Sequence, residues 1–203
     1  MPRPPSNALR FLGLFAVSYA VLIALDQGLG LADAILGAEA WLAHAITRAS
    51  EFPPVTEYIR VVDGDLVAKL WDQEIGFKIQ GGLFSSNVMI WLALVLATPG
   101  LRPRARALFA LGGAAAITGV NALGLVASLR SYYSVYPGAK VPAPHPAAAA
   151  LYKMTLNAYL SGIGQYVPVG ILYLVSIGGR VLRTLDASEN ATRTRTRSRR
   201  GRR

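Results

Sequence analysis

The chain of 203 residues is 53% hydrophobic and 16% charged, with a mean hydropathy of +0.37, whereas about a quarter of a soluble globular chain is charged. Its formal charge is +10, and nine of the 21 basic residues follow Gly179, so the remainder is poorer still in charge. Such a composition argues against an ordinary soluble domain, and the lack of cysteine excludes disulfides, thiolate metal sites, iron–sulfur clusters and a cysteine nucleophile.

Residues Ala8 to Leu25 carry one charge, Arg10, and are long enough to cross a hydrocarbon core about 30 Å thick. This is the first expected span. A cleaved signal peptide competes with it, because Arg3 and Arg10 form a basic start and Ala32-Asp33-Ala34 has the small-x-small form of a cleavage site. From Leu31 to Arg48, residues Leu31, Ile35, Ala38, Leu42 and Ile46 recur at helical spacing, opposite Asp33, His44 and Arg48. An amphipathic helix is expected there, with Trp41 suited to a membrane surface. Pro53-Pro54 ends it. Three β-like runs follow, Val55 to Val62, Leu66 to Trp71 and Glu74 to Ile79; Asp63-Gly64 is a hairpin turn signal, and Ile75, Phe77 and Ile79 alternate with polar or small neighbours. So small a β-meander must lean on other elements for stability.

A second span is expected over Leu83 to Thr98, ending at Pro99-Gly100, and a short turn then carries Arg102, Arg104 and Arg106. The third runs from Ala107 to Leu129, with Asn121 placed roughly mid-bilayer and with small residues at Gly112, Ala115, Ala116 and Gly119. Small residues permit close helix approach and a buried amide seeks a partner, so Asn121, Gly112, Ala116 and Gly119 are expected at a helix contact. A Tyr-, Pro- and Ala-rich loop is expected over 130–155, and a fourth span over Leu156 to Gly179, with Asn157, Ser161, Gln165 and Pro168 in its first half. The chain ends in an Arg-rich tail.

With the N-terminus in the cytoplasm, four spans leave fourteen basic residues on the cytoplasmic side and seven outside. The positive-inside rule then favours both termini in the cytoplasm. The expected fold is an all-α polytopic membrane protein with four transmembrane helices, an amphipathic helix and a small extracytoplasmic β-meander. Its parts are 1–25 (tail and first span), 26–82 (extracytoplasmic helix and meander), 83–179 (three-span core) and 180–203 (disordered tail). Anionic lipid headgroups are the expected partners of Arg193, Arg195, Arg197, Arg199 and Arg200. Nucleic acid is not, since no aromatic residues interleave the tail arginines.

Ser85-Ser86-Asn87 opens the second span and can serve as a helix cap. Either serine could act as a nucleophile only with a base in reach, and the histidines, His44 and His145, show no spacing that joins them to it. No helical His pair, carboxylate cluster or Gly-rich phosphate loop implies a metal or other cofactor.

From Ile75 to Leu129 the order is an extended run ending in IGFKIQGGLFSSN, a span, a basic turn and a span carrying VNALGLVASL. This resembles the core of the exosortases and archaeosortases, polytopic transpeptidase-like enzymes that process proteins bearing a C-terminal sorting tail. The resemblance lays Ser85 at that family's cysteine, Ser86 at its serine, Asn87 at its glycine, Asn121 at its asparagine and Gly124 at its arginine, and no histidine begins the fourth span. The architecture is implied without the nucleophile and the cation. A non-catalytic membrane partner of an exosortase-type enzyme or its substrates is therefore favoured, with Ile75, Phe77, Tyr132, Tyr133 and Tyr136 as its partner surface. A membrane-embedded serine hydrolase or transpeptidase, and an unrelated polytopic protein, are the alternatives. The expected location is a bacterial inner membrane.

Overall fold

The computed structural model describes residues 7–50, 56–70, 76–135, 144–161 and 163–178. Helix α1 (Asn7–Leu29) spans about 34 Å. Of its side chains Leu22 is buried, while Leu9, Leu12, Val17, Val21 and Leu29 face outward. Gly30 ends it with a φ of +62°, a left-handed conformation that a residue without Cβ adopts freely. The chain turns straight into α2 (Leu31–Ser50), where the Asp26 carboxylate accepts from the Ala32 N–H and the Gly30 carbonyl accepts from the Ala34 N–H. Ala32-Asp33-Ala34 thus lies in the first turn of α2.

The buried face of α2 is Leu36, Glu39, Ala40, Ala43 and Thr47, one position round from the expected stripe. Ala38 is exposed, and Ile35, Leu42 and Ile46 flank the contact half-buried. The reason is steric. Ala40 and Ala43 bring α2 close to its neighbours, with Leu36 the one bulky apolar residue on that face, whereas Ile35, Leu42 and Ile46 fit along the edges.

Strands β1 (Thr56–Val62), β2 (Asp65–Leu70) and β3 (Gly76–Gln80) form an antiparallel sheet in chain order, overlapping the three expected runs, with Asp65 and Gln80 one residue beyond them. Val62 pairs with Asp65, and Asp63 and Gly64 have φ of 52° and 76°. Two positive φ values in a two-residue loop make the turn whose twist suits a hairpin. Ile59, Leu66, Ala68 and Ile79 bury one face of the sheet in a core shared with Leu36, Ala40 and Ala43 of α2. Gly81 follows β3 at a close approach, since a Cβ there would collide with the Gly64 carbonyl oxygen and Leu36.

Helix α3 (Gly82–Ala97) matches the second expected span to within a residue. At its far end the Thr98 hydroxyl meets the Tyr173 hydroxyl at 2.9 Å, and Arg106 donates to the Thr98 carbonyl at 3.1 Å. Helix α4 (Pro103–Val135) has 33 residues and a length of about 50 Å. It begins before and ends well after the expected Ala107–Leu129. Its last turns leave the apolar helices and brace the sheet: the Tyr133 hydroxyl lies 3.0 Å from the Thr56 hydroxyl, and the Tyr132 ring lies 4.9 Å from that of Phe77.

The segment expected as one fourth span is instead two helices, α5 (Pro146–Leu160) and α6 (Ile163–Tyr173), the second continuing as a π-helical turn over Leu174–Gly178. Part of the expected loop 130–155 is therefore helical. Proline at the first position of α5 costs no hydrogen bond and has a φ suited to helix; Pro168 inside α6 removes a donor.

Two helices, α1 and α4, are long and apolar enough to cross a membrane, and Phe84–Ala97 and Tyr166–Gly178 are shorter apolar helices. The exposed aliphatic side chains on α1 recur on α4 at Leu108, Leu111 and Leu123 and on α6 at Val167, Ile171 and Val175. Exposed apolar side chains in this number suit a membrane or protein contact.

Close packing between α3 and α4 rests on Gly113. Trp91 of α3 donates its indole N–H to the Phe109 carbonyl at 2.9 Å, and a Cβ at Gly113 would overlap the indole ring. Gly112 and Ala116, expected at a helix contact, are exposed, and Gly119 faces open space within the chain. The expected pairs lie on neighbouring faces of α4, a rotation that small-residue spacing alone does not fix. Gly113→Ala should lower thermal stability in detergent by about 1–3 kcal/mol through overpacking. Gly112→Ala should cost nothing and gain up to about 1 kcal/mol of helix propensity. Melting curves of both variants in one detergent check the contrast.

Candidate functional site: a buried polar cluster joining α2, α3 and α4

Three polar side chains meet where the helices converge beneath the sheet. Asn121 of α4 donates through Nδ2 to Glu39 Oε1 of α2 at 2.7 Å and to the Phe84 carbonyl of α3 at 3.2 Å. Its Oδ1 accepts from Asn87 Nδ2 of α3 at 3.2 Å. Glu39, Asn87 and Asn121 are each at most 1% exposed. One carboxamide therefore ties three helices together, and Leu36, Ala40, Phe84, Ala122 and Leu125 of the same helices are buried in one apolar core.

The local sequence explains the meeting. Asn121 stands 18 residues beyond Pro103, about 27 Å along the helix axis, which brings it level with the first turns of α3. It stands close to the middle of α4, beside the Phe84 carbonyl at the start of α3. On α2, alanine at 40 and 43 lets the backbone approach and places Glu39 directly against Asn121.

Among the described residues, Glu39 Oε2 and Asn87 Oδ1 are buried without a hydrogen-bond partner. Burial pushes the Glu39 carboxyl from 4.5 up to about 7, and the Asn121 hydrogen bond acts in the opposite sense; α2 is outside the helices long and apolar enough to span. Glu39 was not singled out in the sequence. The available signal was a lone acid among alanines and leucines on the face that also holds Leu36 and Ala43.

The other expected site residues are placed differently. Ser85 is buried, with its hydroxyl turned back toward the Gly81 carbonyl at 3.5 Å, the posture of a helix-start residue. Ser86 is half-buried. His145 is exposed ahead of α5 and its Nδ1 accepts from the Ala147 N–H at 3.3 Å. His44 lies half-buried on α2, and among the described hydrogen bonds none joins either serine to either histidine. Gly124 is on α4 one turn beyond Asn121.

Of the expected partner surface, Phe77 and Tyr132 pack on each other and are half-buried. Tyr133 is buried in the core, its hydroxyl bound to Thr56, so it braces the surface from beneath and is not part of it. Ile75, Tyr136 and the arginines Arg193, Arg195, Arg197, Arg199 and Arg200 lie outside the described residues. No group of three or more His, Asp or Glu side chains suited to a metal ion occurs among the described residues. Comparison with protein-family models, with curated proteins and with solved structures found no match.

The arrangement can join helices and can bind a proton. Asn121→Leu removes the donor to Glu39 and the acceptor for Asn87 together, and an unsatisfied buried polar group costs about 1–3 kcal/mol. The variant should melt at a clearly lower temperature than the native protein in detergent, while Asn157→Leu, an exposed amide on α5, should leave melting unchanged. Differential scanning of the three proteins in the same detergent checks this.

Proposed function

We propose that the chain is a non-catalytic integral membrane protein that serves an exosortase-type protein-sorting system as a partner of its enzyme or its substrates. The observation that carries this reading is that the buried polar cluster joins helices and sets no base beside a serine. The segments bearing the family resemblance, Ser85-Ser86-Asn87 and the stretch around Asn121, are joined by the Asn87–Asn121 hydrogen bond. Within them Asn87 donates to Asn121 and Ser85 is directed to the Gly81 carbonyl, so neither is aimed at a base. A nucleophilic serine requires a base within hydrogen-bond reach, and the cluster offers a carboxylate already engaged by an amide.

In this reading α1, α3, α4 and the α6 segment cross the bilayer of a bacterial inner membrane, with α2 and the sheet on the outer side. Support comes from the apolar exterior of α1, α4 and α6 and from the fourteen-to-seven division of basic residues. The basic tail then lies against anionic headgroups, each arginine near the surface contributing about 1 kcal/mol. The sheet, braced by the end of α4, presents Phe77 and Tyr132 beside the bilayer as an aromatic contact for another protein.

Two measurements test it. Reporter fusions at Gly64 and Gly201 should report opposite sides of the membrane, and the same side for both would refute the topology. The double variant Ser85→Ala, Ser86→Ala, at normal abundance, should leave processing of sorting-tail proteins nearly intact, whereas Phe77→Ser with Tyr132→Ser should impair it. Collapse of processing in the serine variant, with a serine-directed covalent probe labelling only the native chain, would replace the partner reading by the enzyme reading.

A further inference from the structure

Glu39 is fully buried, and one of its two oxygens has no hydrogen-bond partner among the described residues. No cation on the packed elements is positioned to neutralise it. Helix α3 contains no charged residue. On α4, Arg104 is exposed near the far end, Arg106 binds the Thr98 carbonyl, and Arg130 reaches Ser50 and Tyr152. On α1, Arg10 is exposed and Asp26 holds the start of α2. In the sheet, Glu57 pairs with Lys69, Asp65 pairs with Lys78, Asp63 lies in the turn, and Arg60 lies over the Tyr58 ring. On α2 itself Asp33 and Arg48 are exposed and His44 is half-buried more than a turn away.

An ionised carboxylate in such surroundings is strongly disfavoured. A proton on Oε2 removes the charge and turns that oxygen into a donor, while Oε1 keeps its bond from Asn121. We propose that Glu39 is a proton-operated latch: protonated, it holds α2 against α3 and α4, and ionised, it loosens α2 together with the sheet packed on it. The position of the sheet then responds to the acidity of the compartment it faces.

The sign follows from linkage. The folded chain holds the proton more tightly than the unfolded chain, so the stabilisation is complete below pH 4.5, diminishes as the pH rises toward about 7, and is lost above that. The full-length protein in neutral detergent should therefore show a melting temperature that falls by several degrees from about pH 4.5 to about pH 8. Glu39→Gln, which is neutral at every pH, should remove most of that fall. His44→Asn, a change on the same helix that leaves the carboxyl in place, should keep it.

Infrared difference spectra of the native protein should contain a protonated-carboxyl band that titrates away near neutral pH and is absent from Glu39→Gln. Should that variant not fold, hydrogen exchange of the native chain decides: after correction for intrinsic rates, α2 should lose protection with rising pH more than the first half of α4. An unchanged pH dependence in Glu39→Gln, no titrating band, or equal loss in both helices would overturn the latch. So would a melting temperature set by sodium concentration and not by pH, which would make the cluster a cation site.

Discussion

The carboxamide of Asn121 is the point on which the molecule's two layers depend. Much of the contact between α3 and α4 is apolar packing, with Trp91 seated on Gly113 and its indole N–H bound to the Phe109 carbonyl. Between helices, however, apolar contact is weakly directional, and in lipid it is hardly favoured over contact with acyl chains. The hydrogen bonds from Asn121 to Glu39 and to the Phe84 carbonyl supply the missing specificity. They set how far α2 stands along α4, and β1, which packs on α2, is positioned in turn.

That constraint links the helices to the sheet. A three-stranded sheet with one buried face has too little core to be stable alone, and here its inner residues share a core with α2, Phe84 and the second half of α4. The length of α4 makes this possible. Its apolar stretch continues past Asn121 into Tyr132 and Tyr133, so a single helix both traverses the bundle and props the sheet. Loosening at Glu39 would consequently be felt at Phe77 without any change in α3.

Much of this was legible in the sequence where one strong local signal acts alone. Asp63-Gly64 specifies a hairpin because both positions need positive φ, and the run Leu83 to Thr98 is a helix stopped by Pro99-Gly100. The legibility failed where tertiary packing chooses among equivalent local options. Gly112 and Gly113 are adjacent and equally small, and only the position of Trp91 selects the second. On α2 the bulkiest apolar residues implied one face, whereas close approach selected the alanines beside it and carried Glu39 inward. The break between α5 and α6 was hidden by apolar composition that continues across it. Asn121 was recognisable as an amide needing a partner, but its partner lies 82 residues away in sequence, beyond the reach of any periodicity.

The coupling between Glu39 and Asn121 is isolated by no single substitution. A double-mutant cycle with Glu39→Leu, Asn121→Leu and the pair, read as unfolding free energy in detergent at about pH 5 where the carboxyl is protonated, measures it directly. Contacting residues in one hydrogen-bond network show interaction energies of about 0.5–3 kcal/mol. A value in that range is expected here, with the double variant less destabilised than the sum of the single ones. Strict additivity of the two substitutions would contradict it.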